Sequence, residues 1–539
     1  MTADLAESVC VEPLPVYKQK EIDHSSRQNE AVKWGITMTV YNFNQGIGWA
    51  SSGVEYAQAY RAQVFHHLGV EAKFIFTDFI SAQNIEHYTA NLGFKDEEVI
   101  WLYQAFSDFK IAPTTYTLAD LTETFADQPT KVERNGDKVI YHFNDQYYVR
   151  AILRRAGSEQ VLRAEYVRSG NLFHRDFFSY GRYMSEYYVP IDGKAKLMVR
   201  RFFNEDGSVA MEELPTGDNA TFRLPGQLLL SKEELITAFL ERLALQKGDV
   251  IIVDRGTGMA QQILAHKGPA KVGSVVHAEH FSVNNTNDDH ILWNNYYEYA
   301  FQHHRDIDFY ITSTQVQTDL LAAQFAKYNQ AQPQIFTIPV GSLLELKHPT
   351  TARRPFSLIT ASRLAGEKHL DWVVQAVMAA KAQFPQLTLD IYGEGGERAK
   401  LQQLIKDGQA EDYIHLKGHQ NLTDVYQGYQ AYISASTSEG FGLTLLEAVG
   451  SGLAMIGFDV RYGNQTFIRN DENGYLIPYE IGETGEQAIH ALTTTLAALF
   501  AKLDLERAEQ VSYDLAADYL EPEIEAKWAR LLKEVKADD

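Results

Sequence analysis

Ala431-Tyr432-Ile433-Ser434-Ala435-Ser436-Thr437-Ser438-Glu439-Gly440-Phe441-Gly442-Leu443-Thr444-Leu445-Leu446-Glu447-Ala448 reads as a strand, a glycine-containing turn and the start of a helix. Two carboxylates, Glu439 and Glu447, flank that start. The first N–H groups of a helix find no partner inside it, and the macrodipole adds partial positive charge there. The turn is therefore a ready site for a phosphate. Carboxylates beside it can accept hydrogen bonds from sugar hydroxyls. The two chemistries together point to a nucleotide-sugar donor. The plainer alternative is a helix entry whose acids only answer the macrodipole.

Outward from this segment, strands and helices alternate. Strands are predicted at Ser357–Ala361, Leu387–Tyr392, Ile414–Lys417, Ala431–Ala435 and Ala454–Phe458, with helices near 368–382, 396–407, 422–428, 442–451 and 484–503. That beat belongs to a doubly wound α/β unit. A second such unit opens with the apolar strand Thr39–Phe43, a loop containing Gly46, Gly48 and Gly53, and a helix. Val54, Ala57, Tyr60, Val64 and Leu68 form the apolar face of that helix. Ser52 and Glu55 have capping-box spacing. The loop is not G-x-G-x-x-G, so no dinucleotide cofactor is expected. Alternation resumes with a helix at Glu233–Leu245 and strands at Val250–Val253, Ser274–His277 and Phe309–Thr312, then a helix at Val316–Tyr328.

Between these stretches aromatics crowd at strand spacing, among them Tyr141, Phe143, Tyr147, Phe173, Phe177, Tyr183 and Tyr187. Asn135-Gly136, Asp192-Gly193 and Asp206-Gly207 punctuate them as hairpin turns. The expected fold class is α/β: two facing Rossmann-like domains, with an antiparallel β-sheet domain inserted in the N-terminal one. Residues 38–111 and 229–345 form the first domain, 112–228 the insert and 346–510 the second domain. Residues 1–37 read as a flexible extension and 511–539 as a C-terminal helix. Two facing domains would place a cleft at the carboxyl ends of both sheets.

A length of 539 residues suggests roughly three domains. A net charge of −22 argues against sequence-independent nucleic-acid binding and against an electrostatic hold on anionic lipid. The basic cluster Arg150, Arg154, Arg155 and Arg163 reads as a solvated sheet face. Cys10 is the only cysteine, which fits a reducing compartment. No apolar run reaches the roughly 18 residues of a membrane span, so a cytoplasmic protein with at most peripheral contact at the inner membrane face is expected.

Further chemistry gathers at strand ends. Arg363 and Lys368 stand at one strand-to-helix turn, where a planar fork and a mobile point charge can bracket a diphosphate. Tyr392-Gly393-Glu394-Gly395-Gly396 offers close backbone approach to a ligand, or a plain turn. Val276-His277-Ala278-Glu279-His280-Phe281 ends a strand of the first unit, and a neutral imidazole there can hydrogen-bond a sugar. This is not the helical H-E-x-x-H spacing, and no metal is expected. Asp306-Ile307-Asp308 introduces a strand rather than ending one and reads as a capping or solvated pair.

Glu439 to Glu447 resembles the E-x7-E motif of retaining GT-B glycosyltransferases. Thr39-Val40-Tyr41-Asn42, Gly46 to Gln58, the β-insert and His277-Ala278-Glu279-His280 are together similar to the catalytic glycosyltransferases of the accessory Sec system, the GtfA family. The resemblance runs from residue 38 onward. It implies a retaining hexosyltransferase that moves GlcNAc from UDP-GlcNAc to Ser or Thr of serine-rich repeat adhesins before their export. It implies a homologous GtfB partner and no cofactor. By match, Gly53, Val54, Glu55 and Tyr56 lie at UDP, as do Arg363, Lys368, His419, Gln420, Leu443, Thr444 and Glu447. His277, Glu439, Gly440, Phe441 and Gly442 lie at the sugar, and Glu439, Lys368, Arg363 and His277 carry catalysis. The insert is the expected seat of acceptor or partner, and the last helix is expected to return to the first domain. UDP-glucose is an alternative donor. A non-catalytic substrate-binding subunit and a transferase acting on glycan or lipid are alternative functions.

Overall fold

The computed structural model describes residues 38–48, 53–81, 83–217, 219–480 and 482–537. The proposed extension and Ser52 of the capping box lie outside them. Among the described residues the architecture is α/β with an inserted antiparallel sheet, as expected from the sequence.

Two parallel sheets carry it. The first has seven strands in the order Ile335–Thr337, Phe309–Thr312, Lys271–Val276, Val250–Val253, Thr39–Asn44, Glu71–Phe76 and Val99–Trp101. The second has six, ordered Ile414–Gly418, Thr388–Tyr392, Ser357–Ala361, Ala431–Ile433, Ala454–Phe458 and Gly474–Ile477. Strands such as Val250–Val253 and Ser357–Ala361 are buried at every position. That is the mark of a sheet covered on both faces, and it explains their continuous apolar runs. Leu358, Val373, Val377, Ile391, Ile433, Leu492 and Leu496 share one core around the second sheet.

By packing, the chain falls into two compact units. One runs to Ser274 and includes Arg305–Ile307; the other holds Val275–His304 and residues from Asp308 onward. Side chains close helix starts where capping chemistry predicts: Ser231 Oγ accepts from Glu234 N (3.3 Å), and Thr484 and Gln487 form a capping box.

The inserted segment is a ten-stranded antiparallel meander in which Lys131–Asn135 through Gln227–Leu229 pair in sequence order. A row of opposite charges crosses it at directly facing positions. Arg150 pairs with Glu165, Glu165 with Arg175 (3.1 Å), and Arg175 with Glu186 (3.1 Å). Glu186 then pairs with Arg200 (2.9 Å), and Arg200 with Glu213 (2.9 Å). The Glu165, Glu186 and Glu213 side chains are only 4 %, 3 % and 6 % exposed. Arg150 and Arg163, expected as part of a solvated basic face, instead neutralise the buried Glu165.

Three local expectations are corrected. The segment 422–428 holds only a 3-10 turn at Tyr426–Gly428. The C-terminal segment is two helices, Leu505–Ala517 and Glu521–Ala537. Between them the chain pauses to pair with Leu343: Leu343 N donates to Tyr519 O and Glu521 N to Leu343 O, both at 2.9 Å. The helix predicted to Tyr328 widens into a π turn over Phe325–Asn329. No single helix among the described residues is long and apolar enough to cross a membrane.

Candidate active site

The strand Ala431–Ile433 sits mid-sheet, and the chain leaves its carboxyl end for the turn before the helix Leu443–Gly450. Gly442 makes that turn at φ 82°, a backbone region that disfavours other residues. A Cβ there would also stand 2.6 Å from Leu445 Cδ1. Leu445 and Leu446 donate to Gly442 O at 3.0 Å each. The N–H groups of Leu443 and Thr444 have no acceptor among the described residues, so the positive end of the helix is open.

Ser357–Ala361 is the sheet neighbour of Ala431–Ile433, so the loops that follow the two strands lie side by side. Lys368, in the turn Gly366–Lys368, thereby reaches Glu439: Nζ lies 2.8 Å from Oε2. The two side chains are 15 % and 20 % exposed, a half-dry setting in which the charges hold each other firmly. Arg363 takes a different course. Its side chain is 80 % exposed and meets Glu367 at 3.2 Å.

The glycines of Tyr392-Gly393-Glu394-Gly395-Gly396 serve this loop rather than an open space. A Cβ on Gly393 would fall 1.9 Å from Ser362 O, and one on Gly395 2.4 Å from Leu364 O. Ser362 N donates to Tyr392 O (3.1 Å) and Leu364 N to Glu394 O (3.0 Å). The two turns are laced together, and the lacing fixes the backbone on either side of Arg363.

Glu439 is clasped through its main chain. Its carbonyl accepts from Tyr462 N (2.7 Å) and Gly463 N (3.0 Å), and its own N–H donates to Arg461 O (3.3 Å). Next to it, a Cβ on Gly440 would lie 3.0 Å from His277 O, so the Glu439 turn rests directly on the His277 backbone. His277 N and Ala278 N both donate to the Tyr297 hydroxyl, at 3.1 and 3.0 Å. His277, Glu439, Gly440, Gly442 and Lys368 are thus brought together within one unit.

Glu279 and His280 both meet the hydroxyl of Tyr462. Glu279 accepts from the Tyr462 hydroxyl (2.5 Å) and pairs with Arg461 (3.3 Å), whose guanidinium also lies over Phe281. His280 is fully buried, with Nε2 2.6 Å from Gln324 Oε1 and Nδ1 3.0 Å from the Tyr462 hydroxyl. Burial pushes its pKa down to about 4, so the ring is neutral. Burial, then the Glu279 charge, push the Tyr462 phenol far up.

The remaining expected residues are more scattered. Glu447 Oε2 accepts from the Tyr426 hydroxyl at 3.0 Å. Thr444 Oγ1 lies 3.0 Å from the Tyr432 hydroxyl, which donates to Ala361 O. Phe441 is buried, with its ring edge-on to Phe467. His419 and Gln420 are exposed after Gly418, and Gln420 folds back to Lys417 O (2.9 Å).

In the other unit, Gly53, Val54 and Tyr56 are exposed or half-exposed residues at the start of the helix Gly53–Leu68. Glu55, expected at the nucleotide, is 3 % exposed and turned inward. It accepts from Asn44 Nδ2 (3.2 Å) and Arg255 (3.2 Å), beside a buried network of Gln58, Arg61, Asn42 and Asp254. A carboxylate beneath a strand end needs such donors, so Glu55 is spent on the fold. Tyr462, Arg461, Tyr297 and Gly463 were not foreseen. They belong to no local motif, and only their through-space pairing reveals them.

Residues 131–226 match the family described as the GtfA extended beta-sheet domain, and 345–493 match glycosyl transferases group 1. The GtfA subunit of a UDP-N-acetylglucosamine–peptide N-acetylglucosaminyltransferase from Streptococcus gordonii is 52 % identical over 93 % of this chain and 99 % of its own length. The chain belongs to the GtfA family. It is a glycosyltransferase with the GT-B fold. A solved pneumococcal O-GlcNAc transferase GtfA, in complex with UDP and GlcNAc, is 49 % identical with a TM-score of 0.86, covering 93 % of this chain and 99 % of that one. A GtfA/B complex matches at 52 % identity and TM-score 0.90, over 93 % of this chain and all of its counterpart.

Proposed function

We propose that this chain transfers GlcNAc from UDP-GlcNAc to Ser and Thr hydroxyls of a serine-rich repeat adhesin, in the cytoplasm and before accessory Sec export. It would act with a homologous GtfB-type partner. The observation that carries the reading is the Lys368–Glu439 pair beside the open N-terminus of Leu443–Gly450. It occurs in a chain 49 % identical to a GtfA solved with UDP and GlcNAc. An anion fits the free amides and Lys368, and a sugar hydroxyl fits Glu439.

In this reading Lys368 and the amides of Leu443 and Thr444 stabilise the diphosphate as the glycosidic bond breaks. Arg363, free to swing, folds onto it. Glu439 and His277 orient the hexose, with Gly440 to Gly442 against it, and Glu447 accepts from the ribose. Gly53 to Tyr56 contribute main chain near the UDP, and His419-Gln420 border the nucleotide. The acceptor hydroxyl enters on the face that UDP leaves, which retains configuration, and the departing phosphate takes its proton. No metal is required, because Lys368, Arg363 and the helix start supply the positive charge. Residues 38–111 and 229–345 make the first Rossmann-like domain and 346–510 the second. The insert at 112–228 receives acceptor or partner, and the last helix, Glu521–Ala537, returns to the first domain.

The test is mass spectrometry of an adhesin repeat incubated with the chain, its partner and each donor. GlcNAc addition from UDP-GlcNAc supports the reading. Addition of a hexose alone from UDP-glucose replaces the donor, and no addition with either sugar overturns it.

A further inference from the structure

We infer that Tyr462 is a positioning residue for the transfer reaction, setting the His277 turn against the Glu439 turn. The inference rests on the proposed glycosyl transfer at this site. Tyr462 lies 183 residues from Glu279 in sequence, and no motif connects them.

Two grips converge on the one side chain and its backbone. On the main-chain side, Tyr462 N donates to Glu439 O at 2.7 Å, and Glu439 N returns to Arg461 O at 3.3 Å. The pair forms a short parallel bridge that fixes the peptide carrying the Glu439 carboxylate. On the side-chain side, the phenol meets Glu279 Oε1 at 2.5 Å and His280 Nδ1 at 3.0 Å, and the ring stacks on the His280 imidazole. Glu279 and His280 are the second and third residues after His277. Tyr462, a residue only 1 % exposed, therefore ties the Glu439 turn to the segment that follows His277.

The electrostatics make the latch directional. His280 is neutral, and its Nε2 donates to Gln324 Oε1. The single phenolic hydrogen then faces two acceptors, and the charged, nearer Glu279 holds it. Arg461, the residue before Tyr462, pairs with the other oxygen of Glu279 at 3.3 Å, so both carboxylate oxygens are oriented. A ring at this place is needed for packing. The hydroxyl is needed only to tie Glu279, and this separates the positioning role from the structural one.

The experiment compares Tyr462→Phe, Glu279→Gln and the double variant in the complex with the partner subunit. It measures kcat, KM for UDP-GlcNAc, UDP affinity by calorimetry and the melting temperature. Tyr462→Phe keeps the ring stack and the main-chain bridge. A displacement of the two turns by about 1 Å is expected to lower kcat by roughly 10- to 100-fold, with UDP affinity unchanged. Glu279→Gln, which also loses the Arg461 ion pair, should lower kcat at least as much, and the double variant no further than Glu279→Gln, because the Tyr462 hydroxyl acts through Glu279. A Tyr462→Phe enzyme with wild-type kcat overturns the inference. Multiplying losses in the double variant, or losses that follow the melting temperature, do so as well. Absence of transfer by the wild-type complex would instead reject the proposed function, so the two failures are distinguishable.

Discussion

Gly463→Ala is expected to disable the site without unfolding the chain. Gly463 has an ordinary backbone conformation, so the change carries no dihedral strain and its whole effect is steric. A Cβ at this position would lie 2.3 Å from Phe441 O and 2.9 Å from its carbonyl carbon. Real Cβ contacts do not fall below 3.0 Å, so the Phe441 peptide must retreat by at least about 0.7 Å. The obstacle is main chain, which cannot rotate aside. Phe441 immediately precedes the Gly442 cap, so the retreat moves the open amides of Leu443 and Thr444. The same Cβ presses Glu439 Cγ at 3.1 Å. A displacement near 1 Å at reacting groups costs roughly 10²-fold in rate. Transfer to a repeat peptide should fall by that factor, with circular dichroism unchanged. Gly428→Ala, where an added Cβ meets nothing within 4 Å, is the control. A Gly463→Ala enzyme within about twofold of wild-type kcat/KM would refute the reasoning.

Lys368→Ala should lower kcat by about 10²- to 10³-fold, as for a lost transition-state donor, whereas the exposed Arg363→Ala should cost less; steady-state rates with saturating donor compare them. Asp254→Leu should cost about 3–5 kcal/mol, because it leaves the Arg61 guanidinium buried opposite an apolar side chain, and adding Arg61→Met should restore most of it; urea unfolding measures both. His280 predicts an acid-side loss of stability. Its folded pKa, about 4, lies below the ordinary 6.5, so the unfolded chain takes the proton first as pH falls. The contribution is complete above pH 6.5 and declines towards pH 4, by up to about 3 kcal/mol. Melting curves across that window should slope, and His280→Asn should flatten them.

The α/β framework was legible because its central strands are apolar runs and several of its helices carry side-chain caps, features set by near neighbours in the chain. The meander was legible for the same reason, through Asn135-Gly136 and its companion turns. At the site, Glu439, Lys368 and His277 announced themselves by standing at strand ends, and sheet order then brought Lys368 to Glu439. The Glu55 side chain was ambiguous because its position in a helix entry is compatible with either a ligand or an internal network, and the donors Asn44 and Arg255 turn it inward. The glycines at 393 and 395 were ambiguous for a similar reason: the atom they make room for is Ser362 O or Leu364 O, more than 30 residues away in the chain. Tyr462 carries no local signature, since its partners are set by tertiary folding.

The charge row across the meander bears on how ten strands find their alignment. A slip of two residues keeps every side chain on its face and so escapes the usual hydrophobic penalty. Here such a slip would set Arg150 against Arg163 or Val167, and Glu165 against Phe173 or Phe177. A carboxylate would be stranded in a nearly dry place without its counter-ion, at a cost well above that of a lost surface contact. Each strand from Tyr147–Leu153 to Val209–Thr216 therefore proofreads the one beside it. A long array of hairpins, ordinarily prone to sliding, acquires a single permitted alignment from six alternating ions.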